Sequence, residues 1–222
     1  LEKAREERFF PQSQKICIPN SIDLAVFKPN NDVSLRKKHG ISESEFVLLF
    51  VAESIDNQRK GLDLLLESLK YLNDLPLTIL TVGKGDLSNI NFRTVALGTI
   101  KTSEKMAECY SLADVFVLPS REDNLPNVML ESFACGIPLI SFNLGGMKEH
   151  VKENITGLLA KDLTGRSLAK SIINFYNNKN IYKKEVIRNY AVENFSFYNQ
   201  YRDYFKIYNE LLENDGDSNK SY

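Results

Sequence analysis

The chain of 222 residues has only three cysteines, Cys17, Cys109 and Cys135, and two histidines, His39 and His150. The cysteines are odd in number, widely spaced and form no CxxC pair. That argues against a disulfide framework and against structural zinc, and no metal site is expected. Cys109 and Cys135 fall in apolar helix patterns and read as buried small hydrophobes of a reducing compartment. No apolar run reaches 18 residues, so no transmembrane helix is expected. Residues 1–8 are charged, lack the apolar core of a signal peptide and do not begin with Met, which reads as an excised or processed piece. Neither charge sign dominates: 28 basic against 29 acidic side chains give a net charge of −1. Nothing in that balance favours nucleic acid or an anionic membrane, although a local basic cluster can still hold one diphosphate. GxxxxGK[ST] is absent, Gly83-Lys84-Gly85 lacks the rest of a dinucleotide fingerprint, and no serine stands in GxSxG. Neither histidine has a triad-like setting.

What is present is an alternation of short apolar runs and amphipathic stretches. Strands are predicted at 15–18, 46–51, 77–82, 91–97, 115–118 and 137–142. Helices are predicted at 32–39, from Leu62, at 103–112 with Ser103 as N-cap, and from Asn127 or Val128 to Ala134, where Gly136 stops the chain. This order argues for an α/β fold, a doubly wound parallel sheet with right-handed crossovers. Beyond 160 the composition turns helical. Helices are expected around 168–176 and 182–190, and an aromatic one, carrying Phe197, Tyr201, Tyr204, Phe205 and Tyr208, runs to Leu212. Residues 1–14 read as a helix or remnant of another domain, 15–195 as the α/β domain, 196–213 as the aromatic helix and 214–222 as a frayed tail.

The densest segment is Pro119 to Glu131, which sets Asp123, an Asn/Pro turn and Glu131 between an apolar strand and an apolar helix. In open α/β sheets ligands bind at such junctions. Glu131, among Val128, Met129, Leu130 and Phe133, needs donors. Either ribose hydroxyls supply them, or the carboxylate merely stabilises its helix N-terminus. The loop Asp123-Asn124-Leu125-Pro126-Asn127 is a turn in its own right, or it presents the helix's unpaired first N–H groups to a phosphate or sugar. Arg59-Lys60-Gly61 precedes a helix, where two cations oppose the helix dipole. They are solvated surface bases or an anion site. Gly145-Gly146 permits close backbone approach to a phosphate or sugar.

Five segments in order resemble the C-terminal, donor-binding domain of retaining GT-B glycosyltransferases of family 4. They are Ile18-Pro19-Asn20-Ser21-Ile22-Asp23, Arg59 to Glu67, Ala113 to Ser120, Asp123 to Pro138, and Gly145-Gly146 with Asn154 to Leu158. The resemblance implies a Rossmann-like domain facing an acceptor domain across a cleft. It implies a UDP-, GDP- or ADP-linked sugar as donor, with no further cofactor and no metal. It places Lys60, with Arg59, on the diphosphate, Glu131 on the ribose hydroxyls, and Asp123 beside the transferred sugar. Asn124, Leu125, Pro126, Asn127 and Val128 belong to the loop and helix start meeting sugar or phosphate, and Leu97, Gly98 and Thr99 flank the base. Lys60 and Asp123 carry the catalytic expectation.

Three departures stand out. Asp123 is shorter than the family's glutamate, and Asn-Leu-Pro-Asn replaces a glycine-containing turn. Ala52-Glu53 stands where the family often has Gly-Arg, so Arg59 is the expected compensating cation. The acceptor domain is missing, so the aromatic helix is expected to expose an apolar face and the chain alone to transfer negligibly. Details of the Arg59 and Asp123 segments resemble a bacterial subgroup making surface polysaccharides, which implies a glycan or glycolipid acceptor and a cytoplasmic enzyme that reaches the inner membrane face through its other domain. Two rivals are a GT-B-like sugar-nucleotide 2-epimerase and a non-catalytic nucleotide-sugar-binding module.

Overall fold

A computed structural model describes residues 16–32, 34–54, 58–85, 87 and 90–218. The expectations for residues 1–14, for 219–222 and for Lys15 lie outside these.

Six parallel strands form one sheet: β1 (Phe46–Ser54), β2 (Leu77–Lys84), β3 (Arg93–Ala96), β4 (Val115–Leu118), β5 (Leu139–Phe142) and β6 (Gly157–Ala160), in spatial order β3-β2-β1-β4-β5-β6. The helices are α1 (Ser34–Lys38), α2 (Leu62–Leu69), α3 (Ser103–Leu112), α4 (Asn127–Ala134), α5 (Met147–His150), α6 (Gly165–Asn178), α7 (Lys184–Phe195) and α8 (Phe197–Ser218). β1 and β4 are continuous apolar runs because both their faces are covered, and Phe46 to Phe50 and Val115 to Val117 are wholly buried. The order reverses direction between β1 and β4. Right-handed crossovers therefore put α2 and α4 on opposite faces. α2 packs with α6, and α4 with α7.

Several local expectations are corrected. Residues 16–18 form no strand. Thr102, not Ser103, caps α3: it is extended (φ −123°, ψ 148°) and its hydroxyl accepts from the Lys105 N–H at 3.3 Å. β5 begins only at Leu139, after Pro138, whose missing N–H cannot enter the ladder. β6 was not foreseen, since Gly157-Leu158-Leu159-Ala160 lacks β-branched residues. α8 continues to Ser218, through the stretch expected to fray. It leaves Phe197, Tyr198, Tyr201, Phe205, Tyr208 and Leu212 exposed.

Asp114 acts at the N-terminal edge of the sheet. Its carboxylate accepts from the Val47 N–H at 2.8 Å and pairs with Arg36 at 2.9 Å, fixing the start of β1 against β4. On the same edge Glu45, Thr78 and Arg93 help line a cavity of about 390 Å³. Glu45 accepts from both Thr78 and Arg93, so the charges there satisfy one another.

Candidate functional site

The sequence-predicted residues gather on the opposite edge, at the C-terminal ends of the strands. Lys60 follows β1, Leu97 to Thr99 follow β3 beside the end of β2, Asp123 to Asn127 follow β4, and Gly145-Gly146 follow β5. The loops after β1 and β4 flank the point where strand order reverses, the position at which open α/β sheets bind ligands.

Lys60 and Asp123 are brought together across that point. Lys60 Nζ lies 3.0 Å from Asp123 Oδ2, with the side chains 22% and 19% exposed. Two features force the approach. Gly61 has φ +71°, and a Cβ there would sit 1.9 Å from the Pro119 carbonyl oxygen, so only glycine lets the α2 entry touch the end of β4. Arg121, unassigned from sequence, then ties the two loops together. Its guanidinium donates to Gln58 O at 2.8 Å and to Asp63 Oδ1 at 2.7 Å, and its backbone N–H donates to Arg59 O at 2.9 Å. The Asp63 partnership holds that carboxyl below the usual range, with the Arg121 hydrogen bond as the leading cause. Arg59 has an exposed side chain on the same loop.

Gly145 and Gly146 serve a close approach, but to the protein's own chain. At Gly145 (φ +49°) a Cβ would lie 1.9 Å from Asp123 O, and the Gly146 N–H donates to Asn124 O. The pair seats the Asp123 loop, and the Gly146 amide is engaged there. α4 begins after Pro126, and among the described residues no side chain caps its first N–H groups. The Met129 N–H donates to the Pro126 carbonyl at 2.9 Å, and the side-chain oxygen of Asn127 accepts from Asn20 at 3.4 Å. Leu97 and Gly98 extend the ladder at the end of β2, where Leu97 N–H donates to Thr81 O and Gly98 O accepts from Gly83, both at 2.9 Å.

Glu131, on α4, is half-buried, and burial raises its carboxyl above the usual range. A hydrogen bond from Tyr110 acts in the opposite direction. Tyr110, wholly buried on α3, reaches Glu131 Oε2 at 2.9 Å and the Val128 carbonyl at 3.1 Å. Cys109 and Cys135 are buried, and burial pushes their thiols up to about 11 and about 12. Among the described residues no group of three His, Cys, Asp or Glu is arranged to hold a metal ion, and no helix is long and apolar enough to cross a membrane.

The fold is thus an open, doubly wound α/β domain that sets a cation–carboxylate pair across its switch point and a half-buried carboxylate one turn into the helix that follows. The chain belongs to the family Glycosyl transferases group 1, whose model matches residues 45–178. It is 27% identical over 219 residues to the N-acetyl-alpha-D-glucosaminyl L-malate synthase of Bacillus anthracis, covering 92% of this chain and 56% of that protein. The chain thus spans about half the length of such relatives. Among solved structures, the sucrose-phosphate synthase of Thermosynechococcus elongatus matches with a TM-score of 0.79 at 24% identity, over 96% of this chain and 56% of the other. Anabaena Alr3699/HepE, solved in complex with UDP-glucose, matches with a TM-score of 0.71 at 18% identity, over 87% of this chain and 57% of the other. These likenesses place the fold among GT-B glycosyltransferases.

Proposed function

We propose that the chain is the donor-binding half of a retaining glycosyltransferase that moves a hexosyl group from a nucleoside-diphosphate sugar to an acceptor hydroxyl. The observation that carries this reading is the Lys60–Asp123 pair astride the switch point, with Glu131 behind it on the same helix that the loop feeds. In this reading Lys60, with Arg59, meets the diphosphate and stabilises the charge that grows on it as the glycosidic bond breaks. The first N–H groups of α4 add to that field. Asp123 orients a hydroxyl of the sugar and supports the positive character developing on its ring. Glu131 accepts from the ribose hydroxyls. The HepE complex makes UDP-glucose the first donor to try.

The acceptor is read as a glycan or glycolipid of polysaccharide or lipopolysaccharide synthesis, on the subgroup resemblance of the Arg59 and Asp123 segments. It is brought by an acceptor domain that the exposed aromatic face of α8 covers. The chain alone binds donor weakly and transfers negligibly, and the whole enzyme works in the cytoplasm at the inner membrane face. Calorimetric titration with UDP, GDP and ADP tests the donor site. One base should bind selectively, and both Lys60→Ala and Glu131→Ala should abolish that binding. Binding that survives both substitutions removes the reading.

A further inference from the structure

Tyr110 is fully buried, and its hydroxyl meets a site carboxylate. Its ring is wedged edge-on against Phe116, with centroids 5.7 Å apart, and against Phe27 at 6.5 Å. With two rings fixing the phenol, its oxygen has little freedom to move. One proton then serves two acceptors within reach, Glu131 Oε2 at 2.9 Å and Val128 O at 3.1 Å. Both acceptors lie on α4, a turn apart, so the phenol registers the carboxylate against the start of its own helix. An ionised carboxylate has about four acceptor positions. Tyr110 takes one, on Oε2, and among the described residues no donor is recorded on Oε1.

We infer that Tyr110 is a positioning residue for the nucleotide: it locks the Glu131 carboxylate so that its remaining lone pairs take both ribose hydroxyls, and so makes the site select ribonucleotides over 2′-deoxyribonucleotides. This rests on the donor-site reading above. Among the described residues, Tyr110 is the side chain that donates to Glu131. Burial disfavours its charged form, and the Tyr110 hydrogen bond is the opposing influence. Cys135, the C-cap of α4, is a thiol that burial keeps protonated. Beyond it Arg188, from α7, gives its guanidinium to the carbonyls of Ala134 at 2.8 Å and Leu24 at 2.7 Å, and to that of Phe27. Without the phenol, Glu131 would shed its charge or turn toward water, and either spoils a diol clamp.

Tyr110→Phe tests this, since it keeps the ring packing and removes only the hydroxyl. Two readings are taken on the 222-residue chain, with thermal melts confirming that the variant is folded. The first is the titration of the Glu131 carboxyl by carbon NMR without ligand. The second is calorimetric affinity for UDP, GDP and ADP and for their 2′-deoxy counterparts. The variant should titrate Glu131 at higher pH. It should lose about tenfold in affinity for the ribonucleotide, the scale of a hydrogen bond to a charged group, and lose almost nothing for the deoxy form. An unchanged Glu131 titration, or equal losses on ribo- and deoxyribonucleotide, overturns the inference. Glu131→Ala separates the two layers. If it leaves wild-type ribonucleotide affinity intact, the donor-site reading of Glu131 fails and Tyr110 falls with it. If it costs the ribonucleotide its binding while Tyr110→Phe keeps the wild-type ribose preference, Tyr110 alone is refuted.

Discussion

Replacing Asp123 by Asn should tighten the binding of a bare nucleoside diphosphate, although Asp123 belongs to the same site. In the free chain its carboxylate holds Lys60 at 3.0 Å. At that separation two unit charges attract by about 5.5 kcal/mol at an effective dielectric of about 20, and by about 1.4 kcal/mol in water. With both side chains about one-fifth exposed, desolvation and side-chain entropy consume most of this, and a net value of about 1 kcal/mol is reasonable. A diphosphate must draw Lys60 away from that partner, or lie beside a carboxylate of like charge. Asn removes the competition while keeping shape and a polar tip. UDP affinity should therefore rise about fivefold, the equivalent of about 1 kcal/mol. The gain should shrink in high salt as the phosphate–Lys60 attraction is screened. UDP-glucose should gain less, because the hydroxyl contact of Asp123 is lost, so the preference for the sugar-bearing donor falls. Paired calorimetric titrations of both ligands at low and high salt measure this. Weaker UDP binding by Asp123→Asn, as expected of Lys60→Ala, would refute the reasoning.

Glu131→Gln should stabilise the ligand-free chain at neutral pH while costing nucleotide affinity. Burial sets the folded carboxyl above its unfolded value, so the folded state holds the proton more tightly. Stability is then highest below the ordinary glutamate range and falls as pH rises through the folded value. Thermal melts of both forms at acidic and neutral pH should differ only at the upper end. Gly61→Ala should cost about 1–3 kcal/mol or more in urea unfolding, since its φ of +71° and the Pro119 carbonyl leave no room for a Cβ. A cost near zero would mean that the β1 and β4 loops are not in contact. Arg121→Ala removes an exposed pair with Asp63 and should cost stability about 0.5 kcal/mol or less. Amide exchange at position 121 and at Gly61 should quicken, and nucleotide affinity should fall more than stability does.

The sheet was legible wherever burial on both faces writes a continuous apolar run, as in Phe46 to Val51 and Val115 to Leu118. β6 was not, because its four residues begin with a glycine and depend on pairing with β5 rather than on propensity. The end of α8 was misread for a related reason. Asn214 to Ser218 would not start a helix, but extending one already formed costs far less than nucleating it. In the site, Lys60, Asp123 and Glu131 were visible as charges set at strand-to-helix junctions. Gly145-Gly146 disclosed that something approaches closely there, and glycine cannot say what. The approaching group is the backbone of Asp123 and Asn124. Tyr110 and Arg121 were missed because each acts across the sheet edge on a residue of another element. Tyr110 also sat unnoticed in an apolar helix pattern.

A crystal structure of the chain grown with UDP-glucose would test the donor site most directly. The diphosphate should lie within hydrogen-bond reach of Lys60 Nζ, the ribose hydroxyls on Glu131, and the sugar beside Asp123, with the Lys60–Asp123 pair opened. A nucleotide bound anywhere else, such as the cavity beside Glu45 and Arg93, or one seated at the switch point without touching Lys60 or Glu131, would contradict it.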